Sequence, residues 1–192
     1  MRRSPKLRLG AILALGATAA VILAAAANAG PAFHETFHDE QTEIEENFCG
    51  VPGLTVEFTT VMDGRIHMVP HGRDGLAYFA FHIRGTDIAT NLANDKTLTA
   101  QYTVTDKDLR VTDNGDGTLT ILVLTTGNAV LYGEDGKAIA RNPGQTRFEI
   151  LVDHAGTPSD PSDDEFLEFL GVVKESTGRT DDFCEAAVPA LT

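Results

Sequence analysis

Residues 109–126, L-R-V-T-D-N-G-D-G-T-L-T-I-L-V-L-T-T, leave the chain little choice of local structure. At their centre lies Asp113-Asn114-Gly115-Asp116-Gly117, two overlapping turn signals. Asn-Gly and Asp-Gly pairs tolerate the positive φ that the twist of a β-hairpin demands. The flanks, with Val111, Thr112, Thr118, Leu119, Thr120, Ile121 and Val123, are β-branched or aliphatic and suit a pleated, half-buried surface. A chain with this stretch in its middle contains a β-hairpin, and the neighbouring segments must be compatible with a sheet.

Strand-like runs recur on both sides. In 54–61, Leu54, Val56 and Phe58 share one face, and 65–69 reads as a return after Asp63-Gly64. In 76–84, Phe79, Phe81 and Ile83 alternate against Tyr78, Ala80, His82 and Arg84. Residues 97–105 carry Leu98, Ala100, Tyr102 and Val104 on one side; 130–132, 137–140 and 145–152 follow, broken by Gly133 to Gly136 and by Asn142-Pro143-Gly144. Every link is hairpin-sized, so the economical topology is an antiparallel up-and-down meander of about eight or nine strands. Closure removes the edges of such a sheet, and no long crossover points to a sandwich, so the expected fold is mainly β, a closed or partly closed barrel. After His154 the composition turns to Pro, Ser and Asp. Ser162-x-x-Glu165 resembles a capping box, and Phe166, Phe169, Leu170 and Val173 keep helical spacing, which predicts a short C-terminal helix over 163–170. One more strand through the same stretch is the competing reading.

The N-terminus reads as an address. Arg2, Arg3, Lys6 and Arg8 precede an apolar run, and Ala27-Asn28-Ala29 is a small-x-small cleavage site, so residues 1–29 are read as a secretory signal peptide. Residues 30–47 form a polar, acidic lead-in and 48–192 a single β domain. The net charge is −13, and removing the basic leader makes the mature chain more acidic still. That balance argues against nucleic acid and against anionic membrane surfaces as partners, and fits a soluble, self-repelling secreted monomer. Export makes a disulfide the default for the two cysteines, and Cys49 with Cys184 is the one intramolecular pairing available. It would close most of the mature chain into one loop, worth on the order of 4 to 5 kcal/mol in the chain-entropy account.

Phe48-Cys49-Gly50, the D-N-G-D-G-T of Asp113 to Thr118, and Phe183-Cys184 stand in an order that resembles a group of uncharacterised small secreted bacterial β-domain proteins. The resemblance covers most of the mature chain and implies export and a β fold. Its motifs are a turn and a bridge, so it brings no catalytic or binding residue with it.

Candidate chemistry is sparse. His34-Glu35-Thr36-Phe37-His38 fits H-E-x-x-H, which on a helix sets two histidines on one face to bind zinc beside a general base. Here the motif lies in a polar segment without the metzincin continuation, so His34 and His38 are weak metal candidates and the zinc peptidase a remote alternative. The Asp113 to Gly117 oxygens do not follow the calcium-loop register. The cluster of Asp160, Asp163, Asp164 and Glu165 reads as a helix N-terminus. Tyr78, His82 and Arg84 on one strand, with Tyr102 on another, are the residues expected to line a pocket if their face points into a barrel. No nucleophile motif or phosphate loop is present, and no cofactor is expected. The sequence therefore favours a non-enzymatic module binding a small ligand or an extracellular protein, with a small barrel enzyme of isomerase or cyclase type as the alternative. Ionisable groups converging on a pocket floor would favour the enzyme.

Overall fold

A computed structural model describes residues 33–73 and 75–192; the expected signal peptide lies outside the described residues. Seven strands form one antiparallel sheet in sequential order: β1 (Phe33–Glu45), β2 (Val56–His71), β3 (Leu76–Asn91), β4 (Thr97–Asp113), β5 (Thr118–Tyr132), β6 (Ala138–Asp153) and β7 (Glu165–Lys174). One helix, α1 (Phe183–Leu191), follows. The sheet is not closed, and β1 and β7 are its edges. An odd number of meander strands makes those two edges run in the same direction. Among the described residues no helix is long and apolar enough to cross a membrane.

The strands are fewer and longer than expected. Asp63-Gly64 does not turn: β2 runs through it, and Gly64 pairs with Phe37 on one side and Ile83 on the other. A Cβ on Gly64 would lie 2.2 Å from the Phe37 ring, so the glycine makes room for a cross-strand aromatic. Asn142-Pro143-Gly144 is likewise absorbed into β6. Within the lead-in, the described residues 33–47 are not a tail. Their alternating sequence forms edge strand β1, paired with β2 from Phe33↔Met68 to Glu45↔Val56. The helix predicted over 163–170 is instead a 3₁₀ turn, Pro161–Asp163, and then β7. Its aromatic and β-branched side chains suit a strand equally well, and pairing with β6 decides the matter. The C-terminal helix lies further along, at Phe183–Leu191. Asp182 caps it, accepting hydrogen bonds from the N–H groups of Cys184 (2.9 Å) and Glu185 (3.1 Å).

Register divides the sheet into two faces. The inner face carries Met62, Ile66 and Met68 of β2, Phe79, Phe81 and Ile83 of β3, Leu98 to Val104 in alternation on β4, and Phe148, Ile150 and Val152 of β6. Two clusters fill it. At one end Phe48, Leu54, Val56, Leu98 and Leu131 pack under α1, whose Ala187 and Leu191 are fully buried. At the other, Val111, Leu119, Ile121, Val123 and Val152 pack beside the β4–β5 hairpin. That hairpin turns as the sequence requires, with Gly115 at φ 76° and Gly117 at φ 94°. Asp113 and Asp116 side chains accept the N–H groups of Gly115 and Thr118.

Cys49 and Cys184 are bonded, with Cα atoms 5.7 Å apart and a separation of 135 residues. The bridge joins the Phe48–Gly50 turn to α1, and Phe48 meets Phe183 edge-on at 6.2 Å. Asn91 and Asn94 each donate a side-chain hydrogen bond of 2.9 Å to the Leu191 carbonyl, holding the last turn of α1 against the β3–β4 connection.

Candidate functional site

The outer face holds an open cleft of about 410 Å³, within the range of small-molecule sites. Alternation places its walls. Val61 and Asp63 come from β2, Arg84 and Thr86 from β3, Gln101 and Thr103 from β4, and Asn128, Val130 and Tyr132 from β5. Gly85 and Tyr102 contribute from between them, although the Tyr102 ring belongs to the inner face. There it lies over Gly85, 2.5 Å from where a Cβ would stand, which is why that position is glycine.

The charged part of the cleft is neutralised within the protein. Asp63 accepts from the Arg84 guanidinium at 3.5 Å and meets His38 Nδ1 at 2.9 Å, and His38 Nε2 lies 3.1 Å from Glu40. The hydrogen bond from His38, then the Arg84 charge, hold the Asp63 carboxyl below the usual range; Asp63 and Glu40 raise His38 in turn. The remainder is uncharged. Among the described residues no side-chain hydrogen bond engages Thr86, Gln101, Thr103, Asn128 or Tyr132.

The sequence candidates do not form one group. Arg84 and Tyr102 line the cleft. His82 shares the outer face with Arg84 but is bonded through Nδ1 to the Thr105 hydroxyl at 2.8 Å. Tyr78 lies elsewhere, packed against the Val111 cluster, with its hydroxyl accepting the Val111 N–H at 3.0 Å. His34 and His38 are on a strand, not a helix. Four residues of extended chain separate their Cα atoms by about 13 Å, too far for one metal ion. His34 stacks on His67 instead, ring centroids 3.9 Å apart. Among the described residues no three His, Cys, Asp or Glu side chains gather closely enough to hold a metal.

Sequence reasoning passed over the inner-face acids. Asp106 and Asp108 point inward from β4. Asp106 accepts from the Thr125 hydroxyl at 2.5 Å, and Asp108 from the Phe79 N–H at 2.8 Å. Burial pushes both up, Asp108 to about 6, with Asp106 beside it adding to the shift and the Phe79 bond opposing it. Further along, Asp87 is raised first by burial, which the Thr60 and Tyr102 hydroxyls partly offset, and its Oδ1 is buried without a hydrogen-bond partner. Burial and then Asp87 push the Tyr102 phenol up. The available signal was the i, i+2 spacing of Asp106 and Asp108 in phase with Tyr102 and Val104. The bulge between Asp108 and Arg110, which turns Val111 inward as well, carries no sequence signature.

The chain matches no protein-family model, no curated protein and no solved structure.

Proposed function

We propose that this protein is an exported, non-enzymatic binding module that takes a small, uncharged polar ligand, such as a saccharide, in the outer-face cleft. The observation that carries the reading is the set of unengaged amides and hydroxyls on Thr86, Gln101, Thr103, Asn128 and Tyr132 around that cleft. Amides offer donors and acceptors in a plane that fits neighbouring hydroxyls, and Tyr132 supplies an aromatic surface. Arg84 and Asp63, 3.5 Å apart, carry opposite charges, so the cleft lining has no excess of one sign to favour an ion. Export is supported by the leader pattern at 1–29 together with the Cys49–Cys184 bridge. A partly closed barrel is supported by burial: Met62, Ile66, Met68 and Ile83 are 3 to 6% exposed on a face that, among the described residues, no second sheet covers. Curling of the sheet would account for that burial.

The test is a glycan-array screen of the exported protein followed by calorimetry with the best hit. Binding should weaken at least tenfold in Gln101→Ala and Asn128→Ala, with melting temperature unchanged. A hit whose affinity ignores both substitutions, or no hit among neutral polar compounds, removes the proposal.

The inner-face acids favour a second reading, a small barrel enzyme of isomerase or cyclase type. Asp108, with its carboxyl near 6, is tuned toward proton transfer at neutral pH. That role needs substrate access to the inner face. Turnover of any compound that disappears in Asp108→Asn would establish it.

A further inference from the structure

In a chain of net charge −13, every lysine and arginine of the described strands belongs to the outer face. Register concentrates them further. His34, His67, Lys107, Arg147 and Lys174 fall on one line running straight across the sheet, and its other two members, from β3 and β5, are uncharged. The adjacent line adds Arg65 and His82, and its remaining members are threonine or glutamine. Acidic residues outnumber basic ones 28 to 15 in the whole chain, yet neither line holds a carboxylate.

The cations of this band have no partner of opposite charge. Among the described residues no ion pair engages Arg65, Lys107, Arg147 or Lys174. On the lines to either side, by contrast, Arg84 is paired with Asp63 and Arg110 with Glu149. Arg147 Nε is buried without a hydrogen-bond partner, and Arg65, Lys107 and Lys174 are exposed. Strands about 4.8 Å apart set the Lys107 and Arg147 backbones roughly 10 Å from each other, and the line from β2 to β7 extends about 24 Å along the sheet. Net charge argues against anionic partners for the molecule as a whole. At physiological salt, however, screening confines the field of each exposed charge to about 8 Å, so a carboxylate-free band presents its own sign.

Charge complementarity selects an anionic partner, and spacing selects a polymer. Single cations set strands apart, beside threonine hydroxyls and the Gln145 amide, match a chain with intermittent anions and many hydroxyls. Nucleic acid fits less well. Neither line carries Phe, Tyr or Trp to stack bases, and dense phosphates meet repulsion from the rest of an acidic molecule. We propose that this band binds an acidic polysaccharide laid across the strands, its carboxylate or sulfate groups on Arg65, Lys107, Arg147 and Lys174. The band borders the cleft along the Arg84 line and is independent of it: the cleft takes an uncharged ligand, and the band holds its own by the anions.

Affinity chromatography and calorimetry of the exported protein with dextran sulfate and with polygalacturonate, against neutral dextran, test this. One or both polyanions should bind and neutral dextran should not, and affinity should fall at least tenfold between about 50 and about 300 mM sodium chloride. Arg65→Glu combined with Lys107→Glu should weaken binding at least tenfold with an unchanged melting temperature, since both side chains are exposed. Lys96→Glu combined with Lys137→Glu makes the same change of charge in turns at one end of the sheet, and should leave binding near the parent value. No retention of either polyanion at low salt overturns the inference. So does an equal loss in the two charge-reversed pairs, which would make net charge alone the cause, or tighter binding of a single-stranded oligonucleotide than of either polysaccharide.

Discussion

Asp108 shows how one residue can serve structure and hint at chemistry together. β3 and β4 stop pairing at Ala80↔Lys107, and the next N–H inward, that of Phe79, is taken by the Asp108 carboxylate. An unpaired buried N–H is costly, so the acid closes the end of the ladder. Its raised value, about 6 against an ordinary 3.8, means that the folded state holds the proton more tightly than the unfolded one. Stability therefore falls as pH rises from about 4 to about 6, and the penalty is fully present above that. Asp164, also raised to about 6 by burial and then by Asp163, acts with the same sign. Lowering the pH from 7.5 to 5 should raise the melting temperature in calorimetric scans, with Asp108 contributing on the order of 1 kcal/mol. Asp108→Asn keeps an acceptor for Phe79 and should be more stable than the parent at pH 7.5, with a flatter pH dependence. A parent whose stability climbs steadily from pH 5 to 7.5 would contradict this account.

At the scale of elements, the two edges of β6 are covered differently. β5 pairs along one edge; β7 covers the other only from Arg147 to Asp153. Beyond that, the chain after β7 returns and Asp181 brackets Arg141, its N–H donating to the Arg141 carbonyl at 3.2 Å and its carboxylate accepting the Arg141 N–H at 2.9 Å. Gly178 lies directly on β6: a Cβ there would stand 1.7 Å from the Pro143 carbonyl oxygen and 2.8 Å from Gly144 Cα. Backbone cannot yield as a flexible side chain can. Gly178→Ala should lift the 175–182 segment, speed amide exchange at Arg141 and cost about 1 to 3 kcal/mol in urea unfolding. Protection at Arg141 equal to that of the parent would show that the segment is held by other contacts.

For the whole molecule, the Cys49–Cys184 bridge decides how the meander ends. A sequential sheet has few contacts between distant parts of the chain, since each strand meets its neighbours in order. The bridge and the burial of α1 over Phe48, Val56 and Leu98 tie the start of the domain to its end. Cys49→Ser or Cys184→Ser should lower stability by about 2 to 5 kcal/mol without altering the denaturant dependence of the native sheet signal. A loss below 1 kcal/mol would mean that α1 packing alone holds the ends together.

The β4–β5 hairpin, the alternation in β3, β4 and β6 and the disulfide were legible because each depends on local chemistry or on a count. Asn-Gly and Asp-Gly permit few conformations, alternation has a period of two, and two exported cysteines admit one intramolecular pair. Three features belong to the tertiary structure alone. Gly64 and Gly144 lie within strands because Phe37 on one side and the 175–182 segment on the other occupy the space that side chains would need. Residues 165–174 are a strand because β6 offers a ladder that outweighs a helical spacing of apolar residues. The placing of the Tyr102 ring on the opposite face from the His82 and Arg84 side chains, and the gathering of Gln101 and Asn128 with Arg84, follow from a register extending across four strands, whose partners lie tens of residues apart. Pairing energy is shared along whole ladders, so no single stretch of sequence encodes which distant residues will meet.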